Sequence, residues 1–197
     1  MMSSIKLVIL FSVVLFSAYA EYEAGKTLNK LKMSKNQGEV DRTTSAADHE
    51  FMNRALKLSQ NAQRDNHGHT FGSVVVKDGK IIGEGWNKTK ILKDPSAHAE
   101  IEAIRDACKK LSEGDLKGST IYASAQPCPM CLSLIYLTGI TKVYYCIPHS
   151  KIEEFNKNLS VEYIYDELRR PQNERTIPEV QLLGAEADQY IQTYISR

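Results

Sequence analysis

Charge of one sign is missing from this sequence: 25 Lys and Arg stand against 24 Asp and Glu, a formal net charge of +1. Nothing in that balance draws the chain as a whole to nucleic acid or to an anionic membrane, although a local basic patch stays open. Long apolar runs are missing too. Even the longest, near the N-terminus, falls short of the roughly 20 apolar residues a membrane-spanning helix needs. No internal repeat or strongly low-complexity segment stands out. Cysteine is scarce, at four in 197 residues, far below the density of a disulfide scaffold. What is present, 42% hydrophobic and 25% charged residues, suits one globular domain with a real core and some extra sequence.

The first twenty residues differ from the rest. "MMSSIK" carries one positive charge, "LVILFSVVLF" is mostly apolar, and "SAYA" places Ala18 and Ala20 in a small-x-small pattern before Glu21. That layout predicts a secretory signal peptide over 1–20 and a secreted product. Residues 21–47 are polar without a sustained apolar period, which predicts a disordered linker. The domain is expected over 48–197.

From Asp48 onward the pattern is helix, hairpin, helix, strand, helix, strand and a helical tail. "DHEFMNRALKLSQNAQ" spaces Phe51, Met52, Ala55, Leu56 and Leu58 at helical intervals, with Asp48 as its cap. "FGSVVVKDGKIIGEGWN" is two strands about an Asp-Gly turn. "AHAEIEAIRDACKKL" directs Ile101, Ile104, Cys108 and Leu111 to the core, and Asp94-Pro95-Ser96 marks its start. "STIYASA" and "KVYYCIP" are strands joined through the helix "CPMCLSLIYLTG", hence parallel. A short helix near Lys151–Lys157, a polar loop and a last helix across Ala185–Tyr194 follow. Together these predict an α/β fold, a mixed sheet with helices on its faces.

Chemistry concentrates at two helix starts. His98 and Glu100 are two apart, roughly 200° around a helix axis, so they share no helical face. Near a helix N-terminus, however, side chains can converge on a point beyond the end. Cys128 and Cys131, three apart after a proline, can meet His98 there. One imidazole and two thiolates suit tetrahedral zinc, and the helix dipoles favour the thiolates. Three ligands leave a fourth position for a water whose pKa zinc lowers to about 7, with Glu100 placed to move its proton. Cys108 and Cys146 are expected to be buried small hydrophobes.

"HAE" at His98–Glu100 and "PCPMC" at Pro127–Cys131, with 26 residues between Glu100 and Pro127, form the H-x-E…P-C-x-x-C signature of zinc-dependent nucleobase deaminases. From Asp48 on, the chain resembles the cytidine deaminase-like superfamily. That resemblance implies a three-layer α/β/α sandwich around a five-stranded mixed sheet. "GEGWN", "DPSAHAEIEAI" and "PCPMCLSLIY" look like the branch of guanine and tRNA adenosine deaminases, and "YIYDELRRPQNERTIP" (Tyr163–Pro178) looks like the closing segment of small guanine deaminases. The resemblance implies zinc on His98, Cys128 and Cys131, with Glu100 as proton carrier. Asn87, Phe71 and the backbone of Ala99 would contact the base, and the partner would be a small purine, not nucleic acid. It further implies a homodimer closed by a tail from about Glu162. Two alternatives stay open: a deaminase of tRNA adenosine or another nucleoside, and a catalytically dead binding protein.

Two positions depart from the family pattern. Thr70 stands where the family reads proline, and Val161, beside Glu162 and ahead of Asp166, stands where small guanine deaminases place an acid. The sequons Asn87-Lys88-Thr89 and Asn158-Leu159-Ser160 add a conflict, since a glycan on Asn87 would block its contact with a base.

Overall fold

The computed structural model describes residues 44–182, together with Ala187 and Ile191. Residues 1–20, nearly all of the 21–47 segment, and the helix expected across Ala185–Tyr194 apart from those two residues lie outside it. The domain begins at Ser45, three residues earlier than the sequence suggests. Helix α1 (Ala46–Arg64) takes Ser45 as its N-cap, not Asp48. The Ser45 hydroxyl accepts from the Asp48 N–H at 3.1 Å, and the Asp48 carboxylate accepts from the Ser45 N–H at 2.7 Å. This reciprocal pair satisfies two donors at once, which Asp48 alone could not do.

Strands β1 (Gly72–Lys77) and β2 (Lys80–Trp86) pair antiparallel through Asp78 and Gly79, both at positive φ. That is the primed turn the Asp-Gly pair favours. Ile82 is an extra residue: Val75 faces Gly83 while Val76 faces Ile81. β1 also pairs antiparallel with β3 (Thr120–Ala125), which pairs in parallel with β4 (Lys142–Ile147). The sheet order is β2-β1-β3-β4. Four strands, not five, are found among the described residues, because the chain after Ile147 continues as helices.

Two helical layers cover the sheet, as the sandwich requires. Leu58, Val74, Val76 and Tyr122 form the core on the α1 side. On the other, Val75 and Ile121 pack with Ala103, Ile104 and Ala107 of α3 (Ala99–Leu111) and Ile135 of α4 (Pro129–Leu137). Helix α2 (Thr89–Leu92) is a single turn between β2 and α3. Glycines set how closely α3 approaches. A Cβ on Gly83 would lie 2.2 Å from the Ala103 carbonyl oxygen, and one on Gly85 2.4 Å from that of Ala99. Backbone meets backbone there, fixing the α3 start against the end of β2.

Three local expectations change. Leu111, the last residue of α3, is exposed, and so is Cys146, because β4 is the outer strand among the described residues. After α5 (His149–Phe155) the stretch taken for a polar loop holds α6 (Glu162–Arg169). Its half-buried residues Ile164 and Tyr165, with Val161 just ahead, recur at helical spacing too briefly to give a periodic signal.

The Tyr122 hydroxyl donates to Asp48 at 2.5 Å, tying β3 to the α1 cap. That bond, with the Ser45 donors next, holds the Asp48 carboxyl below its ordinary 3.8. A depressed carboxyl stabilises the fold fully above its unfolded value and loses that contribution as pH falls through its folded value. Tyr122→Phe should therefore cost about 1 kcal/mol at pH 7, read by denaturant unfolding. The gap from wild type should close as the pH drops below about 3.8; a gap independent of pH would rule out the Asp48 link.

Candidate active site

His98 is the N-cap of α3 with extended backbone (φ −71°, ψ 160°), and Cys128 is the N-cap of α4 (φ −70°, ψ 169°). Neither residue is helical. The offset between His98 and Glu100 is thereby resolved: only Glu100 lies on the helix, and α3 begins at Ala99, not at Asp94–Ser96. Those residues form a turn instead, with the Asp94 carboxylate accepting from the Ser96 N–H at 2.8 Å and its hydroxyl at 2.7 Å. Pro129 takes the first position of α4, where its missing N–H costs nothing.

Both helix starts deliver donor atoms to one point. His98 Nδ1 lies 3.7 Å from Cys128 Sγ and 3.6 Å from Cys131 Sγ, and the sulfurs are 3.6 Å apart. Zinc bonds of about 2.3 Å to sulfur and about 2.05 Å to nitrogen, set tetrahedrally, require about 3.8 Å between sulfurs and about 3.6 Å from sulfur to nitrogen. The three residues fit zinc. Their electrostatics agree with that demand. Contact with Cys131 first, and then with His98, pulls the Cys128 thiol down to about 4, while the shared proton and burial push Cys131 up. A divalent cation between the sulfurs replaces that proton and takes both as thiolates. The His98 imidazole is raised, chiefly by Cys128.

Glu100 is buried at the second position of α3, with its carboxyl against the Cys131 thiol. Burial is the main cause of its raised pKa, and the negative Cys128 adds to it. A carboxyl that resists ionisation beside a metal-type cluster is poised to accept and return a proton.

A pocket of about 360 Å³ opens beside the cluster. His98, Glu100 and Cys128 line it together with Phe71 and Asn87, while Cys131 sits behind them. Ala99 is buried and does not line it. Asn87 is 1% exposed, and its side-chain oxygen accepts from the His69 N–H, the Thr89 N–H and the Thr89 hydroxyl, the last at 2.8 Å. With the oxygen so engaged, its NH2 is the group left for a ligand. No sugar fits on so buried a side chain, so only the second sequon, at exposed Asn158, is accessible in this fold. Main-chain bonds tie the loops together: Asn87 N–H to Phe71 at 3.0 Å and Lys88 N–H to Ala97 at 2.9 Å.

Gln126 and His149 also line the pocket and carry no motif that marks them; the one signal is that each follows a strand. Val161 lines it too, whereas Glu162 is exposed and does not. Among the described lining residues, Glu100 is the one carboxylate.

The sequence model of the cytidine and deoxycytidylate deaminase zinc-binding region matches residues 45–147, a stretch that holds both helix starts. The chain belongs to this deaminase family. Guanine deaminase of Bacillus subtilis is 43% identical over 128 residues, covering 65% of this chain and 81% of that protein. The crystal structure of a Bacillus subtilis guanine deaminase superposes with a TM-score of 0.71 at 38% identity, over 76% of this chain and 94% of the other. A tRNA-specific adenosine deaminase of Aquifex aeolicus is 42% identical over 74 residues, 38% of this chain. The chain spans about half the length of that relative, at 49%. Zinc is thus the cofactor of this deaminase.

Replacing Cys131 by Ser removes a buried sulfur donor. Metal analysis after dialysis should fall from about one zinc per chain to well below half. Full zinc retention would exclude Cys131 as a ligand.

Proposed function

We propose that this deaminase hydrolyses a free purine base, guanine to xanthine and ammonia. The observation that carries the reading is the pocket itself. Its wall includes Ile152, Ser160, Val161, Tyr163 and Ile164 from the segment after β4, and its volume of about 360 Å³ suits one bicyclic base. The long match to the Bacillus subtilis guanine deaminase supports it.

Zinc held by His98, Cys128 and Cys131 would supply a water acidic enough to ionise near neutral pH. Glu100 accepts that water's proton, the water oxygen bonds to the carbon bearing the amino group, and Glu100 passes the proton to the ring nitrogen. Glu100 then takes the second proton, left on the added oxygen, and delivers it to the amino group as the carbon–nitrogen bond breaks. Guanine and water become xanthine and ammonia, with no redox change. Phe71 packs against the ring, and the Asn87 NH2 donates to an acceptor on the base.

Deamination of tRNA adenosine is the second reading, favoured by the relative from Aquifex aeolicus. Guanine and an RNA stem-loop, assayed side by side for ammonia release, separate the two. Turnover of guanine should fall about 10²–10⁴-fold in Glu100→Gln, with zinc content unchanged. A Gln variant as fast as wild type would remove Glu100 from the mechanism.

Residues 1–20 export the enzyme, and it works as a homodimer whose tail from about Glu162 covers a site. The exposed Tyr163, Leu168 and Ile177 support a further contact surface on that tail. Protein recovered from the medium should begin at Glu21 and sediment as a dimer, and a chain ending at Ser160 should be monomeric and inactive. An intracellular chain retaining Met1, or a fully active monomer, would contradict the respective half of this reading.

A further inference from the structure

Asn87 and His149 follow β2 and β4, the two outer strands of the described sheet, and both line the pocket between them. Asn87 turns a donor to the ligand. The chemistry of His149 follows from its partners. Its Nε2 lies 2.9 Å from the main-chain oxygen of Gln126, and a carbonyl only accepts, so Nε2 carries the ring proton. A second bond fixes the same residue, its N–H donating to Gln126 Oε1 at 3.1 Å. Gln126 is itself anchored by its N–H to the Ile147 carbonyl at 2.8 Å, and the ring packs 6.1 Å from Tyr165. In the tautomer that carries its proton on Nε2 the lone pair lies on Nδ1, for which no partner is found among the described residues.

Glu100 is the one carboxylate among the described lining residues, and it is occupied with proton transfer. A ring N–H on the far side of a bound base needs another acceptor. With its amino-bearing carbon at the zinc cluster, guanine presents one flank with N1–H and O6 and another with N3 and N9–H. Each flank pairs an acceptor with an N–H. A donor on one wall and an acceptor on the other complement either orientation, whereas the adenine ring of a nucleoside carries no ring N–H.

We infer that His149 accepts a hydrogen bond through Nδ1 from a ring N–H of the bound purine and so selects which bases the site takes. This rests on the free-purine reading above. It acts as a specificity residue, with no part in the proton transfers.

The test uses the zinc-loaded full chain with guanine, 1-methylguanine and 9-methylguanine. Wild type should turn over guanine and use one of the two methyl analogues at least about tenfold less well. His149→Leu, similar in size but without an acceptor, should raise KM for guanine about tenfold, the worth of one hydrogen bond. It should leave kcat, zinc content and the rate with the disfavoured analogue nearly unchanged, so that discrimination collapses. His149→Asn, which restores an acceptor oxygen, should recover it. Equal losses on guanine and both analogues, or no loss at all, would overturn the assignment while leaving the guanine reading intact. Wild type inert on guanine would overturn both.

Discussion

Two sulfurs and an imidazole nitrogen brought within 3.6–3.7 Å of one another form a cluster that protons alone satisfy poorly. One thiol is driven down and its neighbour up, because two adjacent sulfurs cannot both ionise without a cation between them. Holding those atoms at zinc spacing is the constraint the rest of the structure serves. It takes two helix starts, each with an extended capping residue, aimed at a common point. The α3 start is placed by backbone contact with Gly83 and Gly85 of β2, and the α4 start by the end of β3.

The same arrangement explains why the pocket lies where it does. Phe71 precedes β1, Asn87 follows β2, Cys128 follows β3 and His149 follows β4. Because β1 runs against its two neighbours, its beginning and their ends share one edge of the sheet. Asn87 is the hub of that edge. Its oxygen gathers three donors from the flanking loops, and its burial also decides the conflict raised by its sequon. Glu100 is buried to a different effect: removing water from around it raises its proton affinity above that of an ordinary carboxyl.

Much of this was legible from residue order. The Asp-Gly hairpin, the antiparallel first pair, the parallel last pair and the helix faces around Ile101 and Ile104 follow from turn chemistry and periodicity, which depend on near neighbours. The histidine, glutamate and two cysteines stand out because few other uses exist for that set at that spacing. Less legible were features made by distant partners. Ser45 displaces Asp48 as cap because the two residues bond reciprocally, and the freed Asp48 oxygen then takes Tyr122 from β3. Helix α6 is too short for a period to show, and a fifth strand is not among the described elements.

The sequence by itself determined the kind of chemistry: which donors, which metal, and which acid stands next to them. Those are properties of side-chain types and short spacings. Only the tertiary structure decided that His98 lies outside its helix and that the Asn87 oxygen is spent within the protein, leaving its NH2 for a ligand. It alone set His149 across the pocket with its tautomer fixed by Gln126. Each of these depends on a backbone group many residues away, and such a partner leaves no local mark in the order of amino acids.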